Sequence, residues 1–475
     1  MVRPSVAVLV VLSLAMLAAT LRAGVIQERD ELYAAYAAKL DTLAETYERD
    51  GDMEAAETLR GWLPERRADQ LTLFVVPSAL ADADSDDKPA AWQERWQQLR
   101  NQQAEALVAL AQQAVDERPS LAYQLVVEAV RENPEHQLAR RALGYVQYRD
   151  LWLTPFEIRQ LKAGRTWHER FGWLPRAHVE RYEQGQRFAL GRWMSADEEA
   201  ELRGDLRRGW SVETEHYKIT TNHSLEEGVA LARRLETLYD LWQQVFITYL
   251  MSETELKRQL SGRARPRIAR QHEVVYYRTR DEYNAALRSA QPQIDITLGI
   301  YFDQTRSAYF FAGEEQAPGT LYHEATHQLF GETRRTAPRV ARDDNFWIVE
   351  GIACYMESLA EHDGYYTLGG ANAGRVPAAR HRLLVDESYV PLSELVGFGM
   401  EDLQHDQRIA MLYSQSAGLA DFLMHADDGR YRDALAGYLA AIYGGRASEG
   451  TLAELTGKEY EALDCAYRQY MEAGE

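Results

Sequence analysis

Only two of the 475 residues are cysteine, Cys354 and Cys465. A domain stapled by cross-links needs many more, so a disulfide framework is excluded and stability must come from apolar cores. In an exported chain the two could still pair, although Cys354, on a helix with apolar neighbours, also reads as a small core residue. Positive charge is short as well: 53 Lys and Arg face 73 Asp and Glu, for a formal net charge of −20. That balance argues against a nucleic-acid partner, which needs a basic footprint, and favours solubility. The one basic stretch, KRQLSGRARPRIAR from Lys257 to Arg270, reads as a solvated loop before a strand. Apolar runs of membrane length are missing everywhere except at the start.

That start is MVRPSVAVLVVLSLAMLAATLRAG, in which one arginine, Arg3, precedes an apolar run from Val6 to about Ala19 and then small residues. This is the order of a secretory signal peptide, with cleavage near Ala23. The expectation is an exported protein, periplasmic or extracellular, with residues 1–23 removed. An uncleaved membrane anchor is the alternative reading, and no cysteine near the cut points to lipid attachment. Beyond that segment, no contact with a membrane is expected.

The roughly 450 residues that remain are too many for one core. Residues 24–150 are rich in Ala, Leu, Glu and Arg with helical periodicity, interrupted by a loop near Val76–Ala91 that holds the acidic run DADSDDK. Pro119 and Pro134 separate short amphipathic pieces, which predicts antiparallel helices. No 34-residue repeat period is present. Residues 151–210 gather Gly and Trp, including Trp152, Trp173, Trp193 and Trp210. They read as a small, partly β connecting module, or, if the indole faces are exposed, as a binding module for glycan or peptide.

From Ser211 the pattern is mixed. Glu213–Thr221 alternates like a strand, and Leu225–Phe246 reads as a long amphipathic helix. A strand over His272–Thr279 and a helix over Arg280–Arg288 follow. Leu298–Phe302 and Ala308–Ala312 read as two strands of a hairpin. After Tyr366 a loop-rich stretch leads to three or four helices. The fold class is α+β.

The chemistry sits in LYHEATHQLF, residues Leu321–Phe330. Helical residues four apart differ by about 40° around the axis, so His323 and His327 can aim at one metal ion. Glu324, turned by about 100° from His323, lies beside that ion, where it can take a proton from water. Leu321, Ala325 and Leu329 form a packing stripe, Thr320 is a candidate cap for the start of the helix, and Gly331 for its end. A catalytic zinc needs a third protein ligand. In NFWIVEGIACYMESL, a second helix capped by Asp344 or Asn345, Glu350 lies opposite a stripe of Ile348, Ile352, Tyr355 and Leu359, yet among Phe346, Trp347 and Ala353. A carboxylate in such surroundings is costly unless paired or bound to metal, so Glu350 is the candidate third ligand.

The pair HEATH and WIVEGIACYME resembles the gluzincin class of zinc metallopeptidases, in particular the peptidase-MA-like domains of secreted bacterial proteins. The resemblance covers residues 211–475. It implies a gluzincin-like catalytic domain, one Zn2+ held by His323, His327 and Glu350, Glu324 as general base, and a peptide or protein substrate. It also implies that GIYFD or AYFFA borders the cleft. Many members carry an acidic residue one turn after the ligand glutamate to orient a histidine. Cys354 stands there in this chain, which leaves that task to Glu357 or a backbone carbonyl.

An oxyanion donor is still required, and Tyr413 in MLYSQSAGLADFLM resembles the tyrosine that follows the zinc helices in such domains. As a core aromatic, it would instead leave the role to Tyr365, Tyr366 or His381. His272 and His362 lack motif context and read as structural. Two other functions stay open at this stage: a zinc-binding, non-proteolytic scaffold, and an amide hydrolase acting on cell-wall peptide.

Overall fold

A computed structural model describes residues 6–80, 91–263, 266, 268–313 and 318–474, with side chains from Gly24 onward. The signal-like segment and the acidic run Asp82–Lys88 lie outside those described side chains. Among the described residues, no helix is long and apolar enough to cross a membrane. The chain divides into two compact units, residues 1–66, 76–146 and 251–265 in one, and 67–75, 147–250 and 266–475 in the other.

The first unit is helical. Helices span Val6–Arg49, Met53–Gly61, Ala91–Ala114, Pro119–Glu132 and Gln137–Ala142, and Glu253–Leu260 joins them from later in the chain. Pro119 opens its helix, where a missing N–H costs nothing. Two carboxylates are buried in the packing. Glu132 accepts from the Tyr36 hydroxyl at 2.8 Å and the Trp62 indole at 2.9 Å, and Glu128 accepts from Tyr33 and Arg66, each at 2.8 Å.

The second unit opens with three copies of one small pattern, a two-stranded hairpin followed by a short helix. The hairpins are Val146–Leu153, Arg165–Pro175 and Gln186–Ser195, and the helices are Pro155–Lys162, Val179–Glu183 and Ala196–Arg203. The repeat was readable. Trp152, Trp173 and Trp193 recur at intervals of 21 and 20 residues, each on the second strand of its hairpin. Trp152 and Trp210 are buried and Trp173 and Trp193 half-buried, which favours the packing role for the indoles.

A five-stranded sheet follows: β1 (Trp210–Glu213), β2 (Tyr217–Thr221), β3 (His272–Tyr277), β4 (Ile300–Phe302) and β5 (Ser307–Phe311). Spatial order is β1-β2-β3-β5-β4, with β2, β3 and β5 parallel and the outer two antiparallel to their neighbours. The alternation over Glu213–Thr221 therefore belongs to β2 alone, since residues 214–216 turn the chain back from β1. Of the two segments expected beside the cleft, GIYFD supplies the edge strand β4, and AYFFA supplies the interior strand β5. A helix over Leu225–Val245 packs on the sheet with Val229, Leu235, Leu238 and Trp242 inside. A smaller sheet joins Leu71–Leu73, Tyr366–Leu368 and Ala360–Glu361. After Tyr366 the chain forms seven helical segments rather than three or four, because several run only four to nine residues between turns.

His216, in the turn between β1 and β2, packs face to face on Tyr239 at 3.6 Å. Its Nδ1 lies 2.7 Å from Glu236. Burial pulls the imidazole pKa down, but the Glu236 carboxylate outweighs that and lifts it from its usual 6.5 to about 9. The stabilisation is fully present below the unfolded value and is lost as pH rises through about 9. We expect the unfolding free energy to drop on the order of 1–3 kcal/mol between pH about 6.5 and 9, with His216→Gln flattening that slope. A slope unchanged by the substitution would assign the loss to other groups.

Candidate metal centre

The motif helix runs Pro318–Glu332 and the second helix Phe346–Met356. Leu321, Ala325 and Leu329 are buried as a stripe, which fixes the rotation of the motif helix and turns His323, Glu324 and His327 toward a cavity. Its ends differ from the sequence reading. Thr320 lies inside the helix, which begins at Pro318, and Gly331 precedes its last residue. Asn345 does occupy the N-cap position of the second helix, but in the left-handed conformation, φ 57°, with no side-chain cap. Its Oδ1 accepts from the Tyr438 hydroxyl instead.

Every residue of the second helix is buried. The long helix Ile409–Gly429 lies against it at a close crossing. A Cβ on Gly351 would stand 2.7 Å from the Ser416 carbonyl oxygen, so only glycine permits that approach. The crossing brings Tyr413 into the same cavity as Glu350, and burial, with the Glu350 charge adding, pushes the tyrosine hydroxyl above its usual pKa.

Three donor atoms converge. His323 Nε2 and His327 Nε2 are 3.2 Å apart, and Glu350 Oε2 lies 3.4 Å from the first and 3.8 Å from the second. A triangle with those sides has its circumcentre about 2.0 Å from each corner, and zinc bonds to imidazole nitrogen or carboxylate oxygen are about 2.0–2.2 Å. The two nitrogens are close enough to share a single proton. Burial holds the His327 imidazole down at about 4, hence neutral at pH 7. His323 moves the other way: burial opposes its charge, but hydrogen bonds to Cys354, Glu350 and Glu357 prevail. A cation fits where that proton sits, between neutral imidazoles and a carboxylate.

The supporting groups are specific. His323 Nδ1 lies 2.8 Å from Glu357 Oε1. Arg375 grips Glu357 with two hydrogen bonds of 2.9 and 2.8 Å. Of the two supports open at this position, Glu357 is thus the one in place, and it fixes both ring orientation and tautomer. Cys354 is buried beside them and Cys465 is exposed; both are free thiols. His323, Cys354 and Glu357 form a second cluster of donors, but Glu357 is already neutralised there by the Arg375 guanidinium.

Glu324 points beside the triangle. Its Oε2 accepts from the Tyr301 backbone N–H on β4 at 3.0 Å. Burial is the main cause that raises its pKa to about 7, with the Glu350 charge adding and the His323 charge opposing. The cavity measures about 1080 Å³ and is lined by His323, Glu324, His327, Glu350, Tyr413 and β4, among others. All five residues singled out from the sequence therefore face one space. Tyr365, Tyr366 and His381 do not line it: Tyr365 stacks on His362, Tyr366 bonds to Glu361, and His381 is exposed near Asp386. Arg375 was not legible, because nothing local marks one arginine for a partner 18 residues away. The comparisons are silent: no family model matches the chain, and no match is found among curated proteins.

The Gly351 crossing yields a direct test. Gly351→Ala forces a methyl group against a backbone carbonyl, and overpacking of this kind costs about 1–3 kcal/mol. Denaturant unfolding should register that loss. A neutral result would mean that the two helices separate freely and that Tyr413 is not held over Glu350.

Proposed function

We propose that the protein is a zinc-dependent hydrolase of the gluzincin type that cleaves peptide bonds in a peptide or protein substrate. The observation that carries this reading is the triangle of His323, His327 and Glu350 donor atoms, sized for one zinc ion, with a half-buried carboxylate beside it. Bound zinc would supply the positive charge that acidifies water and polarises the substrate carbonyl. The remaining work belongs to the chain.

Glu324 takes a proton from the attacking water and passes it to the leaving nitrogen. A pKa raised toward 7 suits a group that must both accept and release a proton near neutral pH. The Tyr301 N–H occupies one of its oxygens, which leaves the other to face the water. Tyr413, whose side chain lines the cavity, is the donor to the developing oxyanion in this reading. Among the described residues strand β4 has one edge unpaired in its sheet, and an extended peptide can add to it by main-chain hydrogen bonds. Export rests on the N-terminal segment alone and is part of the same proposal.

Purified protein should hold one zinc ion per chain, and His323→Ala or His327→Ala should lose it to dilute chelator. Wild-type zinc content in both variants would overturn the site. Glu324→Gln should keep zinc and fold but lose hydrolysis by about 10²–10⁴-fold, since only the proton acceptor is gone. Equal activity in that variant would contradict the mechanism. Tyr413→Phe should lower kcat by about 10²–10³-fold with KM nearly unchanged, the mark of an interaction made in the transition state. Normal turnover would return Tyr413 to a packing role.

A further inference from the structure

The last turn of the motif helix holds a second buried carboxylate that neither metal binding nor proton transfer requires. Glu332 lies one turn and a half beyond His327, and its side chain is 3% exposed. A carboxylate so far from water is costly unless its lone pairs are matched. Here they are. His272 Nδ1 lies 2.8 Å from Oε2 and the Gln328 amide donates to Oε1 at 3.3 Å, while the Tyr301 hydroxyl packs on the helix at the neighbouring Gly331, beside the same carboxylate. Arg306 stands 3.9 Å away and donates to the Glu332 backbone carbonyl at 3.3 Å. A guanidinium at a helix C-terminus meets carbonyls that have no partner within the helix.

These partners come from separate elements. His272 begins β3, Tyr301 is the middle residue of β4, and Arg306 closes the turn between β4 and β5. Arg306 has φ 52°, a left-handed conformation that arginine seldom adopts, at the close of the β4–β5 hairpin turn that its side chain ties to the Glu332 carbonyl. Two glycines fit the same purpose. A Cβ on Gly331 would stand 3.0 Å from the Tyr301 hydroxyl oxygen, and one on Gly299 would stand 3.2 Å from Glu324 Cγ. Both absences let β4 lie flat on the motif helix. Tyr301 is thereby held at two points, by its hydroxyl packed against the end of the motif helix at Gly331 and Glu332 and by its N–H on Glu324.

We propose that Glu332 is a positioning residue, a clamp that fixes the edge strand β4 against the motif helix and so fixes both the general base and the strand edge that takes the substrate. Its catalytic consequence rests on the hydrolase reading; the clamping of β4 does not.

The test uses the full, zinc-loaded chain with Tyr301→Phe, Glu332→Gln and the double variant. Each should keep one zinc per chain. Amide hydrogen exchange over residues 299–302 should quicken by about tenfold or more in each single variant, while exchange in the strand β2 stays as in wild type. In each, kcat should fall about tenfold with a smaller change in KM, because the base is misplaced and substrate can still bind. Since Glu332 acts through Tyr301, the double variant should be no slower than Glu332→Gln alone. Unchanged exchange at 299–302, or a uniform rise across the whole sheet, overturns the clamp, and so do kcat losses that simply multiply. If Glu332→Gln does not fold, Tyr301→Phe decides by the same exchange measurement, since it deletes one hydroxyl. Wild-type protein that binds zinc yet cleaves no peptide overturns the hydrolase reading instead, and the exchange result still decides the clamp.

Discussion

Glu350 projects from a helix on which every residue from Phe346 to Met356 is buried. Withdrawing a carboxylate from water costs several kcal/mol, and the cost is met only by cations and hydrogen bonds brought to it. Its surroundings are arranged to that end. His323 and His327 come from the motif helix, and Tyr413 comes from a third helix that closes in over Gly351. Glu357 and Arg375 then lock the outer side of His323. Remove the carboxylate and the shared proton would keep only Glu357, itself paired with Arg375, on the outer side of His323. The helices around this point are held as much by that electrostatic need as by their apolar stripes.

The sheet answers a second demand, a base that stays available. Glu324 accepts from the Tyr301 N–H, and in the proposed clamp Glu332 holds Tyr301 from the other end of the motif helix. One fifteen-residue helix thus carries the two proposed histidine ligands, the proposed base and the proposed anchor of the strand beside it. Each is one or two turns from the next, so a shift of the helix would move them together.

How much of this was legible follows from the range of each interaction. Spacing of four residues along a helix is local, so His323, Glu324 and His327 could be read directly, and Glu350 followed from a charge set among aromatics. Strands of alternating residues and the long helix Leu225–Val245 were equally local. Tyr413 was reached only through resemblance, because its contact with Glu350 depends on how closely two helices cross at Gly351. Arg375, Tyr301 and Glu332 were missed, as each matters through a partner on another element. The three hairpin repeats show in the sequence only as tryptophans about 20 residues apart, because each unit is short and the residues around its tryptophan differ. Asn345 illustrates tertiary override of a local signal, since Tyr438 claims the side-chain oxygen that would have capped the helix.

The central claim is that His323, His327 and Glu350 together hold one zinc ion with an open position, and X-ray absorption at the zinc edge tests it most directly. The account predicts four nitrogen or oxygen neighbours at about 2.0–2.1 Å, with the outer-shell scattering of two imidazoles and no sulfur. A sulfur neighbour at about 2.3 Å would place the metal on Cys354 instead. A shell without imidazole scattering would contradict the site altogether.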